Sequence, residues 1–125
     1  MIKFLNSEHE QRYNECINKD RTNEQDHERI AMFYILSSDK DIYKRINQLY
    51  IFSENAINID GFFKIRNELS SSSAKMVYLA YQLYNNFKYR DFDERDLTIL
   101  DMFAGLDKDN FEVCCYALKL RFNIN

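Results

Sequence analysis

Proline is absent from the sequence, and glycine occurs only twice, at Gly61 and Gly105. Tight β-hairpins depend on glycine and on other residues that tolerate positive φ, so a protein built mainly from hairpins is disfavoured. The apolar residues instead recur at the three- and four-residue spacing of amphipathic helices. Together these two features predict an all-α protein.

Long apolar runs are also missing. The longest strongly apolar stretch, residues 76–83, is much shorter than the roughly 20 residues that cross a bilayer. Residues 1–10 (MIKFLNSEHE) become polar before a signal-peptide core is complete. We therefore expect a cytoplasmic protein that has no membrane partner.

No block of basic residues is present, because the 17 Lys and Arg side chains are spread along the chain and the formal net charge is -3. Proteins that bind nucleic acid usually concentrate positive charge on one face, so nucleic acid is a disfavoured partner. The last predicted helix opens with Asp107, Asp109 and Glu112, which would repel phosphates. We interpret the helices around Gly105 as a helical corner, not a DNA-binding helix-turn-helix.

The apolar content, 46% of the 125 residues, is enough for one hydrophobic core, and we predict a single domain over residues 1–125. It is expected to be a compact bundle of about five main helices. The expected helices cover about residues 7–19, 24–37, 40–52, 74–87 and 108–122. Their predicted caps are, in chain order, Ser7, Thr22 or Asn23, Asp39, the serines at 70–73, and Asp107.

The helix at 74–87 is apolar nearly all round, so we expect it at the centre of the bundle. Residues 58–61 (NIDG) have the composition of a turn. Residues 62–69 form either a short helix or an irregular connection. A further short helix, capped by Thr98, is expected to end at Gly105 in a left-handed conformation.

Both histidines have acidic neighbours, which raises the question of a metal or acid/base site. Neighbouring residues on a helix point about a quarter-turn apart, and neither histidine has a second histidine three or four positions away. A composite site of His9 and His27 with Glu24 or Glu28 requires the first two helices to meet there. Acids in a first helical turn also complement the helix dipole, and this is the simpler explanation for the acidic neighbours of both histidines. We predict no metal and no cofactor.

The three cysteines, Cys16, Cys114 and Cys115, are an odd set. The adjacent pair lacks the spacing of zinc and dithiol motifs, in which both sulfurs face one centre. We expect all three to be reduced, buried thiols.

Residues 86–96 (NFKYRDFDERD) alternate aromatic side chains with charged ones. This composition resembles that of protein-binding hot spots, although aromatic side chains that fold inward would give the same pattern. The predicted protein-binding residues are Lys88, Tyr89, Arg90, Phe92 and Arg95. No catalytic residues are predicted.

Four segments carry a resemblance to a known family: FLNSEHEQRY, DHERIAMFYIL, YLAYQLYNN and LDMFAGLDKDNFEVCCYALKLRF. They resemble an uncharacterised family, a domain of unknown function, of small helical proteins from low-GC Gram-positive bacteria and their phages and mobile elements. The resemblance implies an accessory protein that acts on host or competing machinery. It supplies no catalytic residues.

The leading hypothesis is a small non-enzymatic protein that binds another protein and modulates or inhibits a bacterial process such as antiphage defence. The alternatives are a small enzyme with a composite acid/histidine site and a nucleic-acid-binding regulator. A homo-oligomer is compatible with the sequence.

Overall fold

The structure is a computed structural model that describes residues 1–86 and 97–124. Most of these residues are helical, as predicted, and one small antiparallel sheet is also present. The α-helices are α1 (Ser7–Asp20), α2 (His27–Leu36), α3 (Lys40–Tyr43), α4 (Ile46–Leu49), α5 (Ile59–Ile65), α6 (Ser71–Asn85), α7 (Ile99–Phe103) and α8 (Lys108–Arg121). The strands are β1 (Tyr50–Ile51) and β2 (Ala56–Ile57).

The first two helices have caps other than those predicted. The side chain of Asn6, not Ser7, accepts the hydrogen bond of a free amide at the start of α1. Asp26 caps α2 by accepting from the backbone N of Arg29 at 3.0 Å. Asn23 instead accepts from the backbone N of Gln25 and forms a turn before the helix, because an Asn side chain bonds readily to amides two residues ahead.

The predicted third helix is broken into α3 and α4, and the chain then forms a hairpin. Tyr50 pairs with Ile57 and Ile51 pairs with Ala56 across the two strands. A 3₁₀ turn joins the strands, and Asn55 closes it with a φ of 51°. Asn tolerates this left-handed backbone, so the hairpin forms without glycine.

The segment predicted to be a turn is the start of α5. Asn58 caps this helix by accepting from the backbone N of Gly61 at 2.9 Å. A Cβ atom at position 61 would lie only 2.0 Å from the carbonyl oxygen of Gln48 in α4. Glycine is therefore needed here for close approach of two backbones, not for a turn.

Two helices, α2 and α6, share the interior. Every residue of Ala31–Leu36 in α2 is buried, and α2 packs against α1, α6 and α8. In α6 the residues Met76–Tyr81 are buried, and the hydroxyl of Tyr81 donates to the carbonyl oxygen of Leu49 at 2.6 Å. The prediction that α6 alone is the central helix is therefore not confirmed.

The connection between α7 and α8 agrees with the prediction. Thr98 and Asp101 form a capping box at the start of α7, and Asp107 caps α8 by accepting from the backbone N of Asn110. Gly105 lies between the helices with a φ of +79°. Short helices are defined here by local caps, which explains why the sequence was sufficient to place them.

Candidate functional site

The five predicted protein-binding residues lie outside the described part of the chain. They are Lys88, Tyr89, Arg90, Phe92 and Arg95. On one side of them Asn86, whose backbone is left-handed, caps the end of α6, and on the other side Thr98 caps the start of α7. The assignment of this segment to protein binding stays a prediction.

His9 is a buried structural residue at the junction of α1 and α2. Its ring is inaccessible to solvent, and Nε2 lies 2.9 Å from the carbonyl oxygen of Tyr34. The backbone N of Leu5 donates to Nδ1 at 3.2 Å. These partners place the proton on Nε2, which donates to Tyr34. Burial lowers the pKa of His9, the bond to Tyr34 opposes this effect, and the charge of Arg12 adds to it.

His27 lies away from His9. It begins α2 seven positions before Tyr34, which corresponds to about 10 Å along the helix axis. The side chain of His27 lines a cavity of about 520 Å³ together with Glu24, Tyr116 and Lys119. The structure therefore brings His27 near Glu24 but does not assemble the composite site that includes His9. Among the described residues, no group of three or more His, Cys, Asp and Glu side chains is placed to hold a metal ion.

Asp20, the last residue of α1, is the centre of a polar cluster that the sequence did not indicate. Its carboxylate is almost fully buried. Tyr50 Oη donates to Oδ1 at 2.5 Å, Asn55 Nδ2 donates to the same oxygen at 2.8 Å, and Thr22 Oγ1 donates to Oδ2 at 2.6 Å. We call Asp20, Thr22, Arg29, Tyr50 and Asn55 the Asp20 cluster.

Arg29 connects this cluster to α6. Its Nε donates to Tyr50 Oη at 3.1 Å and lies 3.7 Å from Oδ2 of Asp20. One terminal nitrogen, Nη1, donates to Asp26 at 2.8 Å. The other, Nη2, donates to the carbonyl oxygen of Asn55 at 2.7 Å and to Tyr84 Oη at 3.1 Å. The guanidinium thus joins α2, the hairpin and the C-terminal turn of α6.

The ionisation of the cluster agrees with a structural role. Burial raises the pKa of Tyr50, and its hydrogen bond to Asp20 raises it further. Burial alone would raise the pKa of Asp26, but the hydrogen bonds and positive charge of Arg29 outweigh burial and lower it. Arg29 therefore remains a cation between fixed acceptors. The cluster stabilises the fold, and its main groups bond to one another.

The cysteines differ in their exposure. Cys16 and Cys114 are buried, and burial raises the pKa of each thiol to about 12. Both therefore stay protonated and unreactive at neutral pH. Cys115 is half-buried, so the prediction of a buried thiol is wrong for this residue.

An apolar surface is exposed on α7. Met102 faces the core and is 2% exposed, whereas Ile99 is 48% and Leu100 is 80% exposed. Phe103 follows Ile99 by four positions, so both lie on one side of the helix, and the ring of Phe103 meets that of Phe111 edge-on at 5.2 Å. We call Ile99, Leu100 and Phe103 the α7 patch. Contiguous exposed apolar residues of this kind mark interaction surfaces more often than isolated ones.

Comparison with protein-family models matches a family of unknown function, DUF6075, over residues 1–125. The chain belongs to the DUF6075 family. This result confirms the resemblance to a family of unknown function. Comparisons with curated proteins and with solved structures give no match.

Two features of this DUF6075 protein were not predicted from its sequence. The Asp20 cluster joins residues about 30 positions apart, and an acidic residue at a helix end looks like an ordinary solvated charge. The α7 patch had a local signal, because residues 99–103 (ILDMF) hold more apolar side chains than one face of a short helix can bury. Throughout residues 1–86 and 97–124, every helix of the DUF6075 protein is too short or too polar to cross a membrane.

Proposed function

We propose that this DUF6075 protein is a small non-enzymatic accessory protein that binds another protein in the cytoplasm. In this proposal it is encoded by a phage or mobile element of low-GC Gram-positive bacteria. It modulates or inhibits a bacterial process such as antiphage defence.

The observation that carries the proposal is the exposure of the α7 patch. Leu100 is 80% exposed and Ile99 is 48% exposed, and the two are neighbours on one helix. Apolar area of this kind gains about 25 cal/mol for each Å² that a partner removes from water. A surface that leaves this area open in the free protein is therefore suited to binding.

The helix that carries the patch is firmly held. Met102 anchors it in the core, and the capping box of Thr98 and Asp101 defines its first turn. Nζ of Lys75 donates to the carbonyl oxygen of Ala104 at 2.9 Å, just after the last turn. A pre-organised patch loses little conformational entropy on binding, which favours affinity.

The charges beside the patch favour a protein partner over a nucleic acid. The start of α8, which adjoins α7, exposes Asp107, Asp109 and Glu112, whereas Lys108 is the one base among residues 107–112. Negative potential at this position repels phosphates. It would attract a partner that surrounds its own apolar contact with Lys or Arg side chains.

The test is capture of partners from a lysate of a low-GC Gram-positive bacterium, with and without nuclease. We expect one stoichiometric protein that is retained after nuclease treatment and lost with Leu100→Ser. Ile124→Ser is the matched control, because Ile124 is also an exposed apolar residue, at 59%, but lies outside the patch. Capture that nuclease abolishes, or that Leu100→Ser leaves unchanged, would contradict the proposal.

A further inference from the structure

Helix α8 has two apolar faces. Its inner face, which contains Val113, Cys114 and Ala117, is buried where α8 packs against α2 and α6. Its outer face carries apolar residues at steps of four, three and four positions. They are Phe111, Cys115 and Leu118 in α8 and Phe122 at its C-cap, and we call these four residues the α8 stripe.

The ends of the α8 stripe are open to solvent. Phe111 is 46% and Phe122 is 64% exposed, and Cys115 and Leu118 between them are half-buried. Apolar residues at four-three-four spacing form the seam of a two-helix coiled coil, in which each side chain fits between residues of the facing helix. The 14 residues of α8 supply about 21 Å of such a seam.

The charges beside the stripe change sign along the helix. Glu112 flanks it near the start of α8, and Lys119 flanks it on the same side seven positions later. Both side chains are exposed. Arg121, also near the end of α8, is engaged within the chain by the carbonyl oxygen of Leu83 and by Glu28. Glu112 and Lys119 are thus the exposed charges best placed to select what packs on the stripe.

We propose that a second copy of this chain packs its α8 antiparallel on the α8 stripe and forms a twofold dimer. In this arrangement Phe111 faces Phe122 of the second copy, and Cys115 faces Leu118. Glu112 then lies beside Lys119 of the second copy, and the twofold axis repeats the pair. The negative first half of each helix meets the positive second half of the other, and the two helix dipoles oppose.

The charge pattern distinguishes this orientation from a parallel one. In a parallel coiled coil, a flanking residue meets the residue five positions earlier in the partner helix. Glu112 would then face Asp107, and the two acids would repel. The antiparallel dimer does not rest on the proposed function. The α7 patch and the α8 stripe share no residue, and they adjoin where Phe103 contacts Phe111.

The test is a charge exchange measured by sedimentation velocity over a dilution series. Glu112→Lys and Lys119→Glu should each raise the dimer dissociation constant about tenfold, because each change places like charges together at two symmetric pairs. The double variant should return to within about threefold of the original value, since it restores both pairs. Lys64→Glu is the matched control: it makes the same change at an exposed site on α5 and should leave dimerisation unaltered.

Three results would overturn the proposal. They are a monomer at every concentration, a dimer that neither single variant weakens, and a double variant that stays as weak as the single ones. Circular dichroism of each variant confirms that the fold is intact. Leu118→Glu would disrupt the stripe more directly, but Leu118 is half-buried and its replacement also changes packing within the chain. The test therefore changes the exposed residues Glu112 and Lys119 instead.

Discussion

Asp20 and Tyr50 are joined by a buried hydrogen bond across 30 positions of sequence. The bond attaches the end of α1 to the first strand of the hairpin. Asn55 strengthens this attachment, because its side-chain amide donates to both the carboxylate and the backbone carbonyl of Asp20. A two-stranded hairpin is marginal by itself, so these bonds explain how it persists in a mainly helical protein.

We expect Asp20→Ala to destabilise the protein by roughly 3 to 5 kcal/mol. The change removes the acceptor of Tyr50 and Thr22 and leaves Arg29 without its buried carboxylate, and loss of one partner from a buried charged network costs this much. Urea unfolding measures the effect. Asp60→Ala, at an exposed position in the first turn of α5, should cost less than about 1 kcal/mol. Equal losses in the two variants would contradict a structural role for the cluster.

Local chemistry explains which parts of the fold the sequence could predict. Ser70, Thr98 and Asp107 cap α6, α7 and α8 as predicted, because a cap needs only a side chain next to its own helix. The hairpin could not be predicted in this way. Its bonds to Asp20 and Arg29 join distant parts of the chain, and these tertiary contacts override the helical periodicity of residues 40–52.

Only part of the candidate site could likewise be predicted from local sequence. The cap of α7 was predictable, but the exposure of Leu100 depends on which face of the helix Met102 directs to the core. The sequence left a composite site of His9 and His27 open, because it could not show where the first two helices meet. The burial of His9 depends on Leu5 and Tyr34, which only the folded chain brings together.

His9 should make the protein less stable in mild acid. Its pKa is lowered by burial in the folded state and lies near about 6.5 in the unfolded state, so the unfolded state binds more protons below that pH. The contribution is complete above about pH 6.5 and is lost as the pH falls towards the folded pKa. We expect the melting temperature to fall less steeply with decreasing pH in His9→Gln than in the original protein.

His27→Gln is the control for this pH dependence. His27 is only partly buried, so its replacement shows the effect of losing a histidine without removing the buried ring of His9. The structural role of His9 would be refuted by equal slopes in all three proteins.

The two glycines should respond differently to alanine. Gly61→Ala would place a Cβ 2.0 Å from the backbone oxygen of Gln48, so α4 and α5 must separate, and we expect a loss of roughly 3 kcal/mol or more. At Gly105 no atom lies within 4 Å of the added Cβ, and the cost is the left-handed backbone alone, about 1 to 2 kcal/mol. Denaturant unfolding of both variants tests this order. A larger loss for Gly105→Ala than for Gly61→Ala would contradict the close approach of α4 and α5 at Gly61.

Truncation of Leu79 tests the shared interior of α2 and α6. This residue is 1% exposed, so Leu79→Ala should leave a cavity and cost roughly 2 to 5 kcal/mol. Leu5→Ala, at a residue that is 37% exposed, is the control and should cost much less. Similar losses would indicate that α6 is peripheral.

Thiol labelling should distinguish Cys115 from the other two cysteines. Cys16 and Cys114 are buried and have pKa values raised to about 12, so both should react only when the protein unfolds. Cys115 is half-buried and should react first with a thiol-directed disulfide reagent, and the Cys115→Ser variant should lack this fast phase. Fast labelling that persists in this variant would show that a buried thiol is accessible. Because Cys115 lies in the α8 stripe, dimerisation would also slow the fast phase as the protein concentration rises.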